Sequence, residues 1–156
     1  MIQRPQSVLL ALIAVFMLAC MFLPNWEKSS SDGKTTVRQN AIELRFSSET
    51  KNESKNRLHL LGLMALVAGL SVFSISRYKN RLLQMKLGFA ITLGIATTLV
   101  FLMLGGSEGE AMTEPEMKGR YLSGFYLLFI ALFSNIISNR LIRRDENLVR
   151  SMDRIR

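Results

Sequence analysis

Stretches without any formal charge alternate with charged segments along the chain. They cover residues 7–23, 58–75, 87–104 and 121–137. A helix needs about 17 to 25 residues to cross the hydrocarbon core of a bilayer, and lipid offers the backbone no hydrogen-bond partners outside a helix or closed barrel. Counting polar flanks, the pattern predicts an all-α integral membrane protein with four transmembrane helices over about 7–23, 58–76, 86–104 and 121–139.

The first stretch has a second interpretation, a cleaved signal peptide, because Arg4 precedes an apolar run that contains Cys20. However, the apolar run continues past Cys20, and the residues before it do not match the small-residue pattern of a lipidated cysteine. We therefore expect an uncleaved helix. Cys20 is the single cysteine of the 156 residues, so no internal disulfide forms, and we expect it to behave as a small core residue.

Basic residues are distributed unequally between the two sets of connections. Arg4, residues 77–86 and the tail from residue 139 hold 11 basic and 3 acidic residues, whereas segments 24–57 and 105–120 hold 9 of each. Cytoplasmic segments of membrane proteins carry the excess of Lys and Arg. The sequence therefore predicts cytoplasmic termini and a cytoplasmic loop over 77–85. This asymmetry accounts for the net charge of +8, so we expect no nucleic-acid partner.

The outer segment 24–57 begins with Trp26, a residue typical of the membrane interface. In "AIELRF" the apolar residues Ile42, Leu44 and Phe46 alternate with charged ones, which predicts a strand. Residues 35–37 are its candidate hairpin partner, with the turn near residues 39–40. An isolated hairpin is marginal in water, so it must rest on the membrane, on segment 105–120 or on a partner. Both a hairpin-shaped loop and a docking strand fit this pattern.

The outer segment 105–120 is rich in glycine and acidic residues. Its four carboxylates lack the spacing of a calcium-binding loop, so we expect a solvated acidic loop and no metal site. They are Glu108, Glu110, Glu114 and Glu116.

The predicted spans contain no ionisable residue near their middle, unlike proton pumps and ion-coupled carriers. Small residues four apart, Ala65 with Gly69 and Ala90 with Gly94, predict close packing of the second and third helices. Asn135 is the one amide within a span, and it either bonds a neighbouring helix or lines a polar cavity. We find no nucleophile–base pair, so we expect neither an enzyme nor a cofactor.

The tail from residue 140 to 156 carries apolar residues at helical spacing: Leu141, Leu148, Met152 and Ile155. No glycine or proline separates it from the fourth span, so we expect one helix that continues into the cytoplasm. An uncovered apolar stripe favours a partner protein. The predicted partner-binding residues are Asp145, Glu146, Leu148, Val149, Arg150, Met152, Asp153, Arg154 and Ile155.

The start "MIQRPQS" and the finish "NRLIRRDENLVRSMDRIR", on either side of four spans, resemble the domain of unknown function 4293 family, small membrane proteins associated with Bacteroidetes. Pro5 and Met152 depart from the family's pattern. The resemblance implies the inner membrane of a Gram-negative cell and supplies no catalytic residue. The hypothesis is an accessory or assembly component that binds a partner through its C-terminal helix. The alternative is a small carrier or lipid-handling protein with a polar cavity near Asn135. Either hypothesis is compatible with a homo-oligomer.

Overall fold

Four long helices and a small antiparallel sheet make up the protein in a computed structural model, which describes residues 5–30, 35–49, 52–78, 80–111 and 119–153. The helices are α1 (Pro5–Phe22), α2 (Leu58–Ser76), α3 (Arg81–Ala111) and α4 (Ser123–Asp153). They correspond to the four uncharged stretches of the sequence, and each is long and apolar enough to cross a membrane.

The helices form an antiparallel bundle in which each packs against its neighbour in sequence and α1 also packs against α4. Leu10, Ile13 and Met17 of α1 meet Met64 of α2 and Leu128 of α4 in a fully buried core. All connections that contain strands lie at one end, called here the sheet end. The start of α1, the end of α4 and the α2–α3 turn lie at the other, the terminal end.

Apolar side chains also cover the outside of the bundle. In the most apolar part of each helix, only 33% to 44% of the residues are buried, and large apolar side chains such as Phe89, Phe133 and Val15 are exposed. A helix that is apolar all round is typical of a buried or membrane-spanning position. The protein is thus a multi-pass membrane protein.

In the described residues, segment 24–57 forms four strands, and a fifth precedes α4. The strands β1 (Trp26–Ser29), β2 (Thr35–Gln39), β3 (Glu43–Ser48), β4 (Asn52–Asn56) and β5 (Arg120–Tyr121) form a sheet in the order β4-β3-β2-β1-β5. The predicted hairpin is confirmed, with Val37 opposite Phe46. The sheet is larger than the two-stranded hairpin that the sequence predicted, because β1 and β5 extend it on one side and β4 on the other.

The sheet rests on the last turns of α3, one of the three supports that we considered. Gln39 lies beside Gly105, Val37 beside Gly109, and the Lys28 ammonium lies 3.5 Å from the Glu110 carbonyl oxygen. Alternate residues of β2 therefore contact successive turns of α3, and the strands run along the helix axis. A solvated loop over residues 105–111 was the wrong expectation, because its glycines let the sheet pack directly on a helix. Glu114 and Glu116 lie outside the described residues.

Two further expectations are corrected by packing. Ala65 and Gly69 face outward, and α2 instead presents Val67 to α3, where it contacts Gly94. Trp26, expected at the membrane interface, is 2% exposed in the small core of the sheet with Val37 and Leu44.

Candidate functional site

The fourth helix continues well past the apolar span. It runs without interruption over 31 residues to Asp153, as the absence of glycine and proline predicted. At about 1.5 Å per residue, residues 140–153 add about 21 Å of helix beyond the span. We call these residues the α4 extension.

One face of the α4 extension is held against the bundle. Ile142 is 1% exposed. Nη1 of Arg81, at the start of α3, donates to the carbonyl oxygen of Asp145 at 3.0 Å and lies 3.9 Å from Oε2 of Glu146. Asp145, Glu146 and Val149 are all half-buried. These three predicted partner-binding residues therefore lie on the side that faces the protein itself.

The opposite face of the α4 extension is open. Leu148 is 56% exposed, and Arg140, Arg143 and Arg144 are exposed as well. Leu141, the first residue of the predicted stripe, is half-buried. The free face therefore combines arginines with one large apolar side chain, while the acids at 145 and 146 turn inward.

The structure does not describe the remaining predicted partner-binding residues in full. The side chains of Arg150, Met152 and Asp153, together with all of Arg154 and Ile155, lie outside the described part of the chain. The structure thus brings Asp145, Glu146 and Val149 to one face and Leu148 to the other.

Asn135 joins α4 to α3 inside the bundle. Its Nδ2 donates to the Gly88 carbonyl oxygen at 2.9 Å and to Oγ1 of Thr92 at 2.8 Å. The predicted bond to a neighbouring helix is confirmed. The amide oxygen of Asn135 has no hydrogen-bond partner in the described residues, and neither has that of Asn139, which lies where a Cβ on Gly88 would stand.

Other polar side chains share this level near the terminal end. Gln84 of α3 donates to the Ser74 carbonyl oxygen of α2 at 2.9 Å, and Ser138 of α4 donates to the Gln6 carbonyl oxygen of α1 at 3.4 Å. Gln6 and Gln84 are 1% and 0% exposed. All four helices therefore contribute to one polar layer: Gln6, Ser74, Gln84, Asn135 and Asn139.

Each member of the polar layer keeps at least one buried side-chain atom without a protein partner in the described residues. A buried polar atom without a hydrogen bond is costly, so these atoms mark a place where water or a polar solute is favoured. Sequence reasoning found Asn135 but missed Gln6 and Gln84, which resemble ordinary polar flanks of a span.

A second polar group fastens the sheet end. The Glu108 carboxylate of α3 accepts a hydrogen bond from Lys55 of β4 at 3.0 Å and from Arg57, just before α2, at 2.6 Å. The hydrogen bond from Lys55 is the largest cause that lowers the pKa of Glu108, which lies beyond the apolar span of α3. The contact ties three elements together and has a structural role.

The sequence of the chain was compared with known proteins and with protein families. No curated protein matches the chain. The model of the family described as "Domain of unknown function (DUF4293)" matches residues 2–155. Because this match covers nearly the whole chain, the protein belongs to the DUF4293 family.

Proposed function

We propose that the protein is a non-enzymatic accessory or assembly component of a bacterial inner membrane, with both termini in the cytoplasm. In this proposal it binds a partner protein through the α4 extension. The single observation that carries the proposal is the continuous helix to Asp153, which holds Leu148 outside the bundle with 56% of its surface exposed.

The charge distribution supports the orientation. In the sequence, Arg4, residues 77–86 and the tail from residue 139 hold 11 basic and 3 acidic residues, whereas the two segments that contain the strands hold equal numbers of each. An excess of Lys and Arg marks the cytoplasmic side. The sheet would then lie on the outer face of the inner membrane.

Cysteine labelling tests the orientation in a Cys20→Ala background. Ser151 and Ser54 are exposed at opposite ends of the molecule. A membrane-impermeant maleimide should label Ser54→Cys in spheroplasts, and should label Ser151→Cys only after the inner membrane is lysed. The reverse pattern would invert the proposed topology.

The free face of the α4 extension supports docking by a protein with an acidic, partly apolar surface. Leu148 supplies the apolar contact and the exposed arginines supply charge, since Asp145 and Glu146 are half-buried on the other face and Arg81 contacts the Glu146 carboxylate. The inner contacts also hold the helix in place before binding. A preformed helix binds with a smaller entropy cost than a segment that must first fold.

A charge substitution tests the docking face without removing the helix. Leu148→Asp should abolish co-purification of the partner from native membranes in mild detergent. Ile42→Asp is the matched control, because Ile42 is 46% exposed on the sheet side, and it should leave co-purification unchanged. Equal recovery of the same proteins with both variants would refute docking at this face.

The polar layer favours a second candidate, a small carrier or lipid-handling protein with a site near Asn135. Its unpaired buried atoms offer hydrogen bonds to a solute. Stabilisation of the purified protein by a polar solute, lost in Asn135→Leu, would support this candidate. A screen of solutes without any shift in the unfolding midpoint would count against it.

A further inference from the structure

Exposed cations lie on α3 and α4 near the terminal end. There the two helices meet at a seam with two contacts, Gly88 with Asn139 and Arg81 with Glu146. Within this interval four cationic side chains are exposed, and we call them the basic seam. They are Lys86 on α3 and Arg140, Arg143 and Arg144 on α4.

Two acidic residues follow the seam directly in the chain, Asp145 and Glu146, and both are half-buried. The Glu146 carboxylate lies 3.9 Å from Nη1 of Arg81, which also donates to the backbone carbonyl oxygen of Asp145. Four exposed cations stand beside these two carboxylates, so the seam keeps an excess of positive charge. The seam therefore presents positive charge immediately beyond the apolar span, at the depth of lipid headgroups.

Exposed apolar side chains continue the same seam toward the middle of the bundle. Phe89 is 65% exposed and lies one turn from Lys86; Ile136 is 50% exposed and lies one turn from Arg140. Cations at headgroup depth and apolar groups at acyl depth on the same two helices match the two chemical parts of one phospholipid molecule.

We propose that the basic seam is a binding site for an anionic phospholipid. Its phosphate groups contact Lys86, Arg140, Arg143 and Arg144, and its acyl chains lie along Phe89 and Ile136. The site requires the helices to span a bilayer, and it is independent of which side is cytoplasmic and of the partner protein proposed above.

Lipid binding to the purified full chain tests the site by native mass spectrometry and by thermal shift. Phosphatidylglycerol should bind and raise the unfolding midpoint, whereas phosphatidylcholine and inorganic phosphate should do neither at the same concentration. Each cation near a headgroup contributes about fivefold to the affinity. Arg140→Gln/Arg143→Gln/Arg144→Gln should therefore weaken phosphatidylglycerol binding roughly a hundredfold.

The matched control removes the same charge from the other end. Arg38→Gln/Arg45→Gln/Arg120→Gln changes three cations that are 56%, 65% and 74% exposed on the sheet, and it should keep the lipid affinity. If the seam triple variant fails to fold, Lys86→Gln alone should lose about fivefold. Equal losses in the two triple variants would overturn the proposal, as would equal binding of phosphatidylcholine or equal protection by inorganic phosphate.

Discussion

The contact between Trp26 and the end of α3 gives the sharpest stability prediction. The indole ring is 2% exposed and packs on Gly106, Gly109 and Gly119. A Cβ at residue 109 would stand 2.5 Å from Cζ3 of Trp26, 2.8 Å from Cη2 and 3.3 Å from Cγ1 of Val37. Because the ring is rigid and enclosed, Gly109→Ala forces the sheet away from α3.

The expected magnitude combines two opposing effects. Replacing glycine by alanine inside a helix is favourable by about 0.8–1.0 kcal/mol where space is open. Overpacking a core costs typically about 1–3 kcal/mol. We therefore expect Gly109→Ala to lower the free energy of unfolding by about 1 kcal/mol, which corresponds to a fall of roughly 2–4 °C in the midpoint for a chain of this size.

Fluorescence provides the assay, because Trp26 is the single tryptophan and reports on the sheet end directly. The midpoint is measured in one detergent at one scan rate, since apparent midpoints of irreversible transitions depend on scan rate. Gly62→Ala on α2 is the matched control. Nothing lies within 4 Å of the Cβ position of residue 62, so the unfolding midpoint of Gly62→Ala should equal or exceed that of the wild type.

A second background isolates the steric cause. With Trp26→Leu the ring is gone, and Gly109→Ala should no longer lower the midpoint followed by circular dichroism. Our account of the packing would be refuted if Gly109→Ala and Gly62→Ala raised the midpoint equally, or if the cost of Gly109→Ala persisted without the ring.

Three further predictions concern polar contacts. Because the pKa of Glu108 is lowered in the fold, its charged form stabilises the protein above the ordinary carboxyl pKa, and this stability is lost as the pH falls through the lowered value. Glu108→Gln should therefore reduce the fall of the unfolding midpoint at acid pH. If the midpoint of the variant falls as steeply as that of the wild type, this carboxyl is not the source of the fall. Asn135→Ala should lower the free energy of unfolding by about 1–3 kcal/mol, because its buried hydrogen bonds to α3 are lost. Ser134→Ala should lower it clearly less, because in the described chain the Ser134 hydroxyl bonds only its own helix, at 2.8 Å. Equal unfolding midpoints of the two variants would refute a role for the hydrogen bonds between Asn135 and α3. Arg81→Gln should speed amide hydrogen exchange in the α4 extension and leave the spans unchanged, and undiminished protection there would refute the anchoring contact.

The sequence predicted the helices well, because spanning a bilayer demands long uncharged stretches that few other folds contain. It predicted less about which helix faces meet. Ala65 and Gly69 have the spacing of a packing motif, yet both face outward and Val67 fills the position against Gly94. In a helix that is apolar all round, periodicity does not distinguish the face that meets protein from the face that meets lipid.

The sequence predicted only part of the sheet, and the physical reason differs from that for the helices. The alternation of Ile42, Leu44 and Phe46 predicted a strand with residues 35–37 as its candidate partner, and β3 does pair with β2. By contrast, β4 has five exposed polar residues, and β1 buries Lys28 beside Trp26. Lys28 is buried because its ammonium group lies 3.5 Å from the carbonyl oxygen of Glu110 at the end of α3. A contact across 82 residues of chain leaves no local signal.

The α4 extension shows how such a distant contact changes the meaning of a local pattern. Along the chain, its acids and arginines alternate around an apolar stripe, and the pattern does not indicate which of them face the bundle. In the fold, Arg81 contacts the Asp145 carbonyl oxygen and the Glu146 carboxylate. Both acidic residues are half-buried, whereas Arg140, Arg143 and Arg144 are exposed together with Leu148. The cationic part lies beside the end of the span, and Leu148 stands about 14 Å beyond Asn139 at helical rise. Cations at headgroup depth favour lipid, whereas an exposed leucine held that far outside favours protein. Substitutions of the three arginines should therefore affect lipid binding, and substitution of Leu148 should affect partner binding, although all four residues belong to one helix.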